Sequence, residues 1–273
     1  MKVNARIPLI GPNPFIGLSV ICSALLVLFI LLPLAEMILQ PSVADMTAAL
    51  RDADVTRAIG LSIGTALCAG FIALVLGTPF AYLLARRSFP GKKMVQSAVD
   101  LPIMIPHPVI GIALLSIAGR NHWLGRIMLD LGVRIMGTPT GIVAVMLFVG
   151  LPFFLNTVKT GFEAVPQRLE NVSRSLGASP TATFFRVTLP LTWRSLVVGL
   201  IMCMARAISE FGAIVIVAYH PMVAPVMIYE RFTAYGLKYS QPVAVWLILV
   251  CLMLFMLLRI FARPKIANKE KTP

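Results

Sequence analysis

One short pattern in the sequence could support nucleophilic catalysis. Gly60-Leu61-Ser62-Ile63-Gly64 matches G-x-S-x-G, in which a serine on a strand-to-helix turn attacks after a base has removed its proton. His107, His122 and His220 are the candidate bases for such an intramembrane hydrolase. The same five residues also match G-x-x-x-G, which brings two membrane helices into close contact. Because the motif opens an apolar helical run, it favours helix packing, and a hydrolase that uses Ser62 is the alternative.

Two oppositely charged side chains lie within a later apolar run. Arg206 and Glu210 are four residues apart, so on a helix they share a face and can partly neutralise each other. An ionised side chain at the centre of a bilayer costs about 2.5–3.5 kcal/mol on insertion scales. The pair therefore either holds helices together or borders an anion pathway, in which Arg206 attracts the anion.

Pro106 and His107 are candidates for a gate in an earlier apolar run. Pro102, Pro106 and Pro108 remove backbone donors and restrict the residues that precede them, which disfavours a straight helix. A kinked segment suits a gate, but proline kinks also occur in membrane helices without that role. The prolines predict a bend and leave its purpose open.

Other chemistries are not predicted for this chain. It has no G-x-x-x-x-G-K-[ST] phosphate loop, so any ATP hydrolysis is expected on another chain. The histidines are far apart and the four cysteines form no C-x-x-C pair, so neither a metal nor a bound cofactor is expected. The formal charge of +13 is spread over short connections between apolar runs, which argues against nucleic-acid binding.

The composition is that of a membrane protein. Of the 273 residues, 58% are hydrophobic and 13% are charged, whereas soluble domains have about 45–50% and about 25%. An ordinary soluble enzyme is excluded, and the apolar runs are long enough to cross a ~30 Å hydrocarbon core as helices. The sequence predicts an all-α, polytopic integral membrane protein. The six predicted spans are Phe15–Leu34, Ile59–Leu84, Leu101–Ala118, Met136–Val158, Leu196–Tyr219 and Val243–Phe261.

The basic residues predict the orientation of these spans. When Arg259 is counted with the C-terminal segment, 16 Lys and Arg residues fall on the side of the two termini and 7 on the other side, and Arg206 lies within the fifth span. Because positive charge favours the cytoplasmic side, both termini are predicted to be cytoplasmic. The chain is expected to be one transmembrane domain, 1–273, with its longest cytoplasmic loop at 159–195.

This cytoplasmic loop contains a predicted amphipathic helix. Its apolar positions are Val165, Leu169, Val172 and Leu176, and its polar positions are Gln167, Arg168, Glu170, Asn171 and Arg174. Pro166 suits the first turn, Glu170 and Arg174 form an i,i+4 pair, and Gly177 supplies a left-handed stop. The helix could lie flat on the lipid interface or dock into the groove of a cytosolic partner.

A second short helix is predicted directly after the first. Ser179 followed by Pro180 has the pattern of an N-cap with proline in the first turn. This helix is expected to run to about Thr188, after which Leu189-Pro190 turns the chain toward the fifth span.

The loop resembles the cytoplasmic signature of binding-protein-dependent ABC importer permeases. That signature is Glu-Ala-Ala, three residues, Gly, nine residues and Ile-x-Leu-Pro. Here Gly177 and Leu189-Pro190 stand at the corresponding interval, Asn171-Val172-Ser173 replaces the opening triplet, and Glu170 lies one position early. The segments 101–111 and 205–213 are similar to those of molybdate, tungstate and sulfate permeases, and the resemblance extends from about Ile59 to Phe261.

The resemblance implies a type I ABC importer permease that works by alternating access. It implies a homodimer of permease chains in a prokaryotic plasma membrane, two cytosolic ATPase subunits that bind ATP and Mg²⁺, and an external substrate-binding protein. The cargo would be a tetrahedral oxyanion, molybdate or tungstate, with sulfate or thiosulfate as the alternative. A secondary carrier would need inverted repeats, and the two halves show none clearly.

The resemblance also assigns residues to the coupling loop. The residues expected to contact the ATPase are Leu169, Glu170, Asn171, Val172, Ser173, Arg174, Ser175, Leu176, Gly177, Ala178 and Ser179. The candidate pathway or gate residues are Pro106, His107, Arg206 and Glu210.

Overall fold

The computed structural model describes residues 14–119 and 121–262, with side chains up to residue 260. The basic residues near both ends, including Lys2 and Arg6, lie outside the described residues. So do the two termini for which a cytoplasmic location is predicted.

All regular secondary structure in the described ranges is helical, which confirms the predicted all-α class. In chain order the helices are α1 (Pro14–Leu39), α2 (Val43–Arg51), α3 (Ala53–Arg86), α4 (Lys92–Met104), α5 (His107–Ala118), α6 (Trp123–Asp130), α7 (Pro139–Ala164), α8 (Gln167–Ser175), α9 (Pro180–Ile208), α10 (Ile214–Val217), α11 (Ala224–Tyr235) and α12 (Leu237–Ala262). We call the segment between α7 and α9, residues 165–179, the elbow. It contains α8.

Six spans can be built from these helices. Helices α1, α3, α7, α9 and α12 are each long and apolar enough to cross a membrane. The helices α4 and α5 meet the same test only when they are taken together as one broken span. The predicted number of spans is reached, although several of their boundaries differ.

The third span is broken rather than continuous. Helix α4 ends at Met104, α5 begins at His107, and the two are bent by 115° relative to each other. Ile105, which precedes Pro106, has the extended backbone that a following proline imposes. The predicted bend is confirmed, and the predicted span Leu101–Ala118 begins earlier than expected, at Lys92.

The core is built around the packing of α7 against α9. A Cβ atom on Gly150 would lie 2.7 Å from Cys203 Sγ, and one on Gly199 would lie 2.8 Å from Val158 Cγ2. The absence of side chains at these glycines lets the two backbones approach closely, as is common in membrane helices. Fully buried Met146, Phe154 and Phe162 fill the space on either side of this contact.

Two π-helical turns accommodate prolines within α3 and α9. The turns are Ala73–Gly77 and Phe184–Thr188, and each is followed at the second residue by a proline, Pro79 or Pro190. A wider turn makes room for the proline ring, which has no N–H to donate. The predicted break at Leu189-Pro190 is therefore wrong, because the chain continues as one helix from Pro180 to Ile208.

The outer end of the fifth predicted span is not helical as expected. Helix α9 stops at Ile208, residues 209–213 form an irregular connection, and the short α10 follows. Buried Glu210 accepts the N–H of Ala213 at 2.9 Å and so satisfies a backbone donor at the start of this new turn. The prediction of one helix over Leu196–Tyr219 is wrong for this physical reason.

Candidate functional sites: an intramembrane ion cluster and the elbow

Three side chains form an ion cluster where two spans break. His107 is the first residue of α5, Arg206 lies in the last turn of α9, and Glu210 follows the end of α9. Nη2 of Arg206 lies 2.8 Å from Glu210 Oε2 and 2.7 Å from His107 Nε2. His107 Nδ1 lies 3.1 Å from the same carboxylate oxygen. The predicted Arg206–Glu210 contact is confirmed, but it closes across a helix end and not along a helix face.

The charges of this cluster are balanced on its buried side. Only 1% of the Glu210 side chain is exposed, and its two oxygens are paired with Arg206, His107 and the Ala213 N–H. Removal of one partner from such a buried pair leaves an uncompensated charge, which is strongly unfavourable. The cluster can therefore hold the two broken spans together.

The other side of the cluster is open. The side chain of His107 is 39% exposed and that of Arg206 is 20% exposed. Nη1 of Arg206 is directed toward the exposed Ser209 hydroxyl at 3.3 Å. A guanidinium with one neutralised edge and one accessible edge can interact with an anion without being a free buried charge.

The structure brings the four candidate pathway residues together. Pro106 is the N-cap residue of α5 and lies next to His107, while Arg206 and Glu210 approach from the end of α9. His107 and Arg206 are 99 residues apart in the sequence. Neither helical periodicity nor local motifs indicate that these two residues are in contact.

The elbow has the local structure that its sequence predicts. Helix α8 begins after Pro166 and is followed by Gly177, whose φ of +88° provides the left-handed stop. Ser179 Oγ accepts the N–H of Ala182 at 3.1 Å and caps the start of α9. Residues 171–180 border a shallow polar depression of about 500 Å³ between α8 and α9.

The elbow exposes apolar side chains. Leu169, Val172 and Leu176 are exposed, Leu176 to 83%, and they lie on one side of α8. Glu170, which was expected on the polar outer face, is instead buried. The orientation of α8 therefore leaves three of the four predicted stripe residues available to a partner and places the carboxylate inside. The prediction is wrong for Val165, which is buried at the end of α7 because α8 begins only after Pro166.

Glu170 is held by a network that the sequence did not indicate. Its Oε1 accepts hydrogen bonds from Arg86 Nε at 2.9 Å and from Thr188 Oγ1 at 3.1 Å, while Tyr82 donates to Oε2 at 3.1 Å. The predicted Glu170–Arg174 pair is wrong, because the carboxylate bonds to Arg86 across the fold. By sequence, Arg86 is only one of the basic residues that predict the orientation of the spans, and no local pattern distinguishes it from Arg87.

Ser62 occupies a structural position. Its buried Oγ donates to the Ala58 carbonyl at 3.0 Å and accepts the Ala224 N–H at 2.8 Å, at the start of α11. Both interactions are with backbone groups, and no histidine in the described ranges bonds to this hydroxyl. Gly60 and Gly64 face open space within the protomer, so the predicted helix packing at these glycines stays a prediction for contacts between copies.

Metal ligands do not cluster in the part of the chain that the structure describes. No three His, Cys, Asp or Glu side chains there are grouped so that they could hold an ion. The imidazole of His107 lies 3.1 Å from the Glu210 carboxylate, but it is already bonded to Arg206 and Glu210.

The broken span, the α7–α9 core and the exposed elbow define a polytopic membrane permease with the type I ABC importer fold. The fold matches a crystal structure of a bacterial alginate ABC transporter in complex with an alginate pentasaccharide-bound periplasmic protein, with a TM-score of 0.74 and 12% identity. The match covers 91% of this chain and 94% of that one. At this level of identity the likeness concerns the fold alone.

Residues 77–267 match the family described as the binding-protein-dependent transport system inner membrane component, and the chain belongs to this family. It is 43% identical to a molybdate/tungstate transport system permease protein of Methanocaldococcus jannaschii over 86% of this chain and 92% of the relative. It is 45% identical to one of Pyrococcus furiosus over 86% and 90%. A sulfate transport system permease protein of Synechocystis is 30% identical over 86% and 85%.

Family membership decides between the classes of function. The chain is a multi-pass transport component and not an enzyme, and the ATPase of such a system is a separate subunit. Together with the backbone bonds of Ser62, this removes the hydrolase alternative.

Proposed function

We propose that this chain is the permease subunit of an ATP-driven importer for molybdate or tungstate. The observation that carries the choice of cargo is the higher identity to the molybdate/tungstate permeases than to the sulfate permease. Sulfate or thiosulfate is the second candidate, because a sulfate permease aligns over a similar share of the chain. Molybdate, tungstate, sulfate and thiosulfate are all oxyanions, so each would interact with the same positive charge along the pathway.

The assembly we propose has two copies of this chain in a prokaryotic plasma membrane. Two cytosolic ATPase subunits supply ATP and Mg²⁺, and an external binding protein delivers the oxyanion. The family description and the alginate transporter complex support the external protein, and the bias of Lys and Arg supports cytoplasmic termini. The whole chain, 1–273, then acts as one permease domain, with the elbow on the cytoplasmic side.

The elbow is proposed to dock into the ATPase. Leu169, Val172 and Leu176 form an exposed apolar stripe on a helix with defined ends, next to the exposed polar side chains of Asn171 and Arg174. A helix of this kind fits a groove through anchors at i, i+3 and i+7. The other residues of the proposed contact are Glu170, Ser173, Ser175, Gly177, Ala178 and Ser179. Unlike the others, Glu170 is buried, so its side chain acts on the inner side of the elbow and not at the contact surface.

The ion cluster is proposed to border the anion pathway. Arg206 offers a transient positive charge on the open side of the cluster, while Glu210 and His107 limit how tightly an anion is held. Alternating access needs segments that change their relative positions, and Pro106 lies at the break that separates α4 from α5. A purely structural role for the cluster is the competing interpretation.

Reconstitution tests this function directly. The permease, its ATPase and the binding protein would be placed in proteoliposomes, and ATP-dependent uptake of labelled molybdate would be measured with tungstate, sulfate or thiosulfate as competitor. We expect tungstate to compete far better than sulfate or thiosulfate. Equal competition by sulfate would move the assignment to the second candidate, and uptake that needs no ATPase would contradict both.

A further inference from the structure

The carboxylate of Glu170 joins the elbow to two parts of the fold that the proposed docking surface does not include. It bonds to Tyr82 and Arg86 at the end of α3, and to Thr188 in the π turn of α9. Arg86 Nη2 also donates to the carbonyl of Val165, at the junction of α7 with the elbow, at 2.9 Å. We call Tyr82, Arg86, Glu170 and Thr188 the elbow junction.

The elbow junction is shielded from water. The Arg86 side chain is 7% exposed and that of Glu170 is 11% exposed. Tyr82, which bonds to the carboxylate, packs edge-on against Phe162 of α7 and Phe184 of α9. In such a setting charge-assisted hydrogen bonds are strong, and a lone buried carboxylate is strongly disfavoured.

The backbone alone does not determine the direction of α8. The helix is short, and it is joined to α7 through Val165-Pro166 and to α9 through Gly177-Ala178, where the chain leaves helical geometry. Among the described residues its outward stripe is only partly covered, with Leu169 44% and Val172 49% exposed. The buried Glu170 carboxylate is the charged side-chain anchor of α8, beside a neutral contact of Ser173 Oγ with Thr183 Oγ1 of α9 at 3.1 Å. The carboxylate therefore helps to keep the stripe facing outward.

The same junction connects the elbow to the ion cluster. Thr188 lies near the start of α9 and Arg206 near its end, about 27 Å away at about 1.5 Å per helical residue. The packed α7–α9 pair makes this helix a stiff element. A displacement of α8 that is transmitted through Glu170 would reach the end of α9, where the cluster lies.

We propose that Glu170 is a positioning residue that makes the elbow move as one body with the adjoining ends of α3 and α9. The inference rests on the proposed function, because it assumes that the ATPase moves the elbow. It assigns to Glu170 a role different from that of the exposed stripe. The stripe receives the movement, and the Glu170–Arg86 pair delivers it to the spans.

Spin-label distances test the junction without reference to transport. Labels would be attached at Ser88→Cys and Ser175→Cys in the full chain, in lipid nanodiscs and with the four native cysteines replaced. We expect a narrow distance distribution for the otherwise unaltered chain, and one at least about twofold broader for Glu170→Gln, since hydrogen bonds to a charged group are lost. Glu163→Gln is the matched control, because Glu163 is exposed and its partner among the described residues is Lys159, one turn away in the same helix α7.

Coupling measurements on the assembled importer complete the test. We expect Glu170→Gln and Arg86→Met to raise the number of ATP molecules hydrolysed per anion imported about tenfold. The loss of a hydrogen bond to a charged group changes an equilibrium constant by about tenfold or more. Arg86→Lys keeps the charge and should restore part of the coupling. Tyr82→Phe removes one hydroxyl and keeps the ring packing, so we expect an intermediate coupling ratio. This variant replaces Glu170→Gln in the test if the protein with Glu170→Gln does not fold.

The two sets of measurements separate the possible failures. A narrow distance distribution in both Glu170→Gln and Arg86→Met, or a normal coupling ratio in Tyr82→Phe and Glu170→Gln, overturns the junction. Failure of the unaltered permease to bind an ATPase overturns the proposed function instead, and the label distances of the permease alone still decide whether the junction holds the elbow.

Discussion

The imidazole of His107 lies 2.7 Å from the guanidinium of Arg206, at the point where the third and fifth spans both leave helical geometry. Both nitrogens of the ring are within 3.1 Å of the Arg206–Glu210 pair. An ion pair that joins two broken spans is sensitive to their relative position. This relationship makes the cluster the part of the membrane region that we expect to respond first to a conformational change.

Loss of the Arg206 charge should impair transport. We expect Arg206→Ala to lower ATP-dependent molybdate uptake by about tenfold or more, because a charged hydrogen-bond donor is removed from a buried carboxylate and from the proposed pathway. Uptake by proteoliposomes at matched protein amounts measures this effect. Arg57→Ala, at an exposed arginine outside the cluster, is the control. Unchanged uptake in Arg206→Ala would retire the pathway role.

A charge on the exposed stripe should separate ATP hydrolysis from transport. We expect Leu169→Asp or Val172→Asp to leave membrane insertion intact and to reduce uptake per ATP, because a carboxylate in a partner's apolar groove is desolvated without a counter-charge. The measurement is the ratio of anion imported to ATP hydrolysed. Gln167→Asp, on the same exposed helix but outside the stripe, should behave like the unaltered chain. Normal ratios in the stripe variants would count against docking.

Gly177 should be replaceable only by residues that tolerate a positive φ. With φ at +88°, Gly177→Ala places a Cβ in the left-handed region, at a cost of about 1–2 kcal/mol. We expect weaker co-purification of the ATPase, with partial recovery in Gly177→Asn. Gly132→Ala carries a similar strain at φ +77° outside the elbow. If it weakens ATPase binding equally, the effect of Gly177 is one of general stability.

The end of the molecule opposite the elbow should show a pH-dependent ion pair. Arg231 donates to Asp52, the cap residue before α3, and holds the pKa of that carboxyl below its usual value. Because the folded-state pKa is lowered, the stabilisation is present above the unfolded value of about 3.9 and is lost as the pH falls through the folded value. The melting temperatures of Arg231→Ala and the unaltered chain should therefore differ at neutral pH and converge in strong acid. Arg57→Ala, which breaks a highly exposed pair, should change little at any pH.

Replacement of Ser62 should affect stability and not chemistry. We expect Ser62→Ala to cost about 1 kcal/mol, the typical effect of a lost helix cap, because the Ala224 N–H at the start of α11 loses its acceptor. The melting temperature in detergent measures the change, and transport by the folded fraction should be retained. Complete loss of transport in a protein that melts normally would require a functional role for this hydroxyl.

The properties that the sequence determined by itself are those set by neighbouring residues. The apolar runs predicted the number of spans, and the prolines at 102, 106 and 108 predicted the bend. Gly177 predicted the end of α8, and Ser179 predicted the start of α9. Each depends on local backbone geometry or on the hydropathy of a continuous segment. Such signals need no knowledge of what packs against the segment.

Tertiary structure decided which groups satisfy the buried charges and where the long helices end. Glu170 bonds to Arg86 because burial made the distant guanidinium a better partner than the exposed Arg174, and Glu210 ends α9 by accepting the Ala213 N–H. The π turns carry α3 and α9 past prolines that would otherwise interrupt them. A helical periodicity shows which residues share a face, but a buried carboxylate takes whichever donors the packed helices bring to it, and some of them, such as Arg86 for Glu170 and His107 for Glu210, lie far away in the sequence.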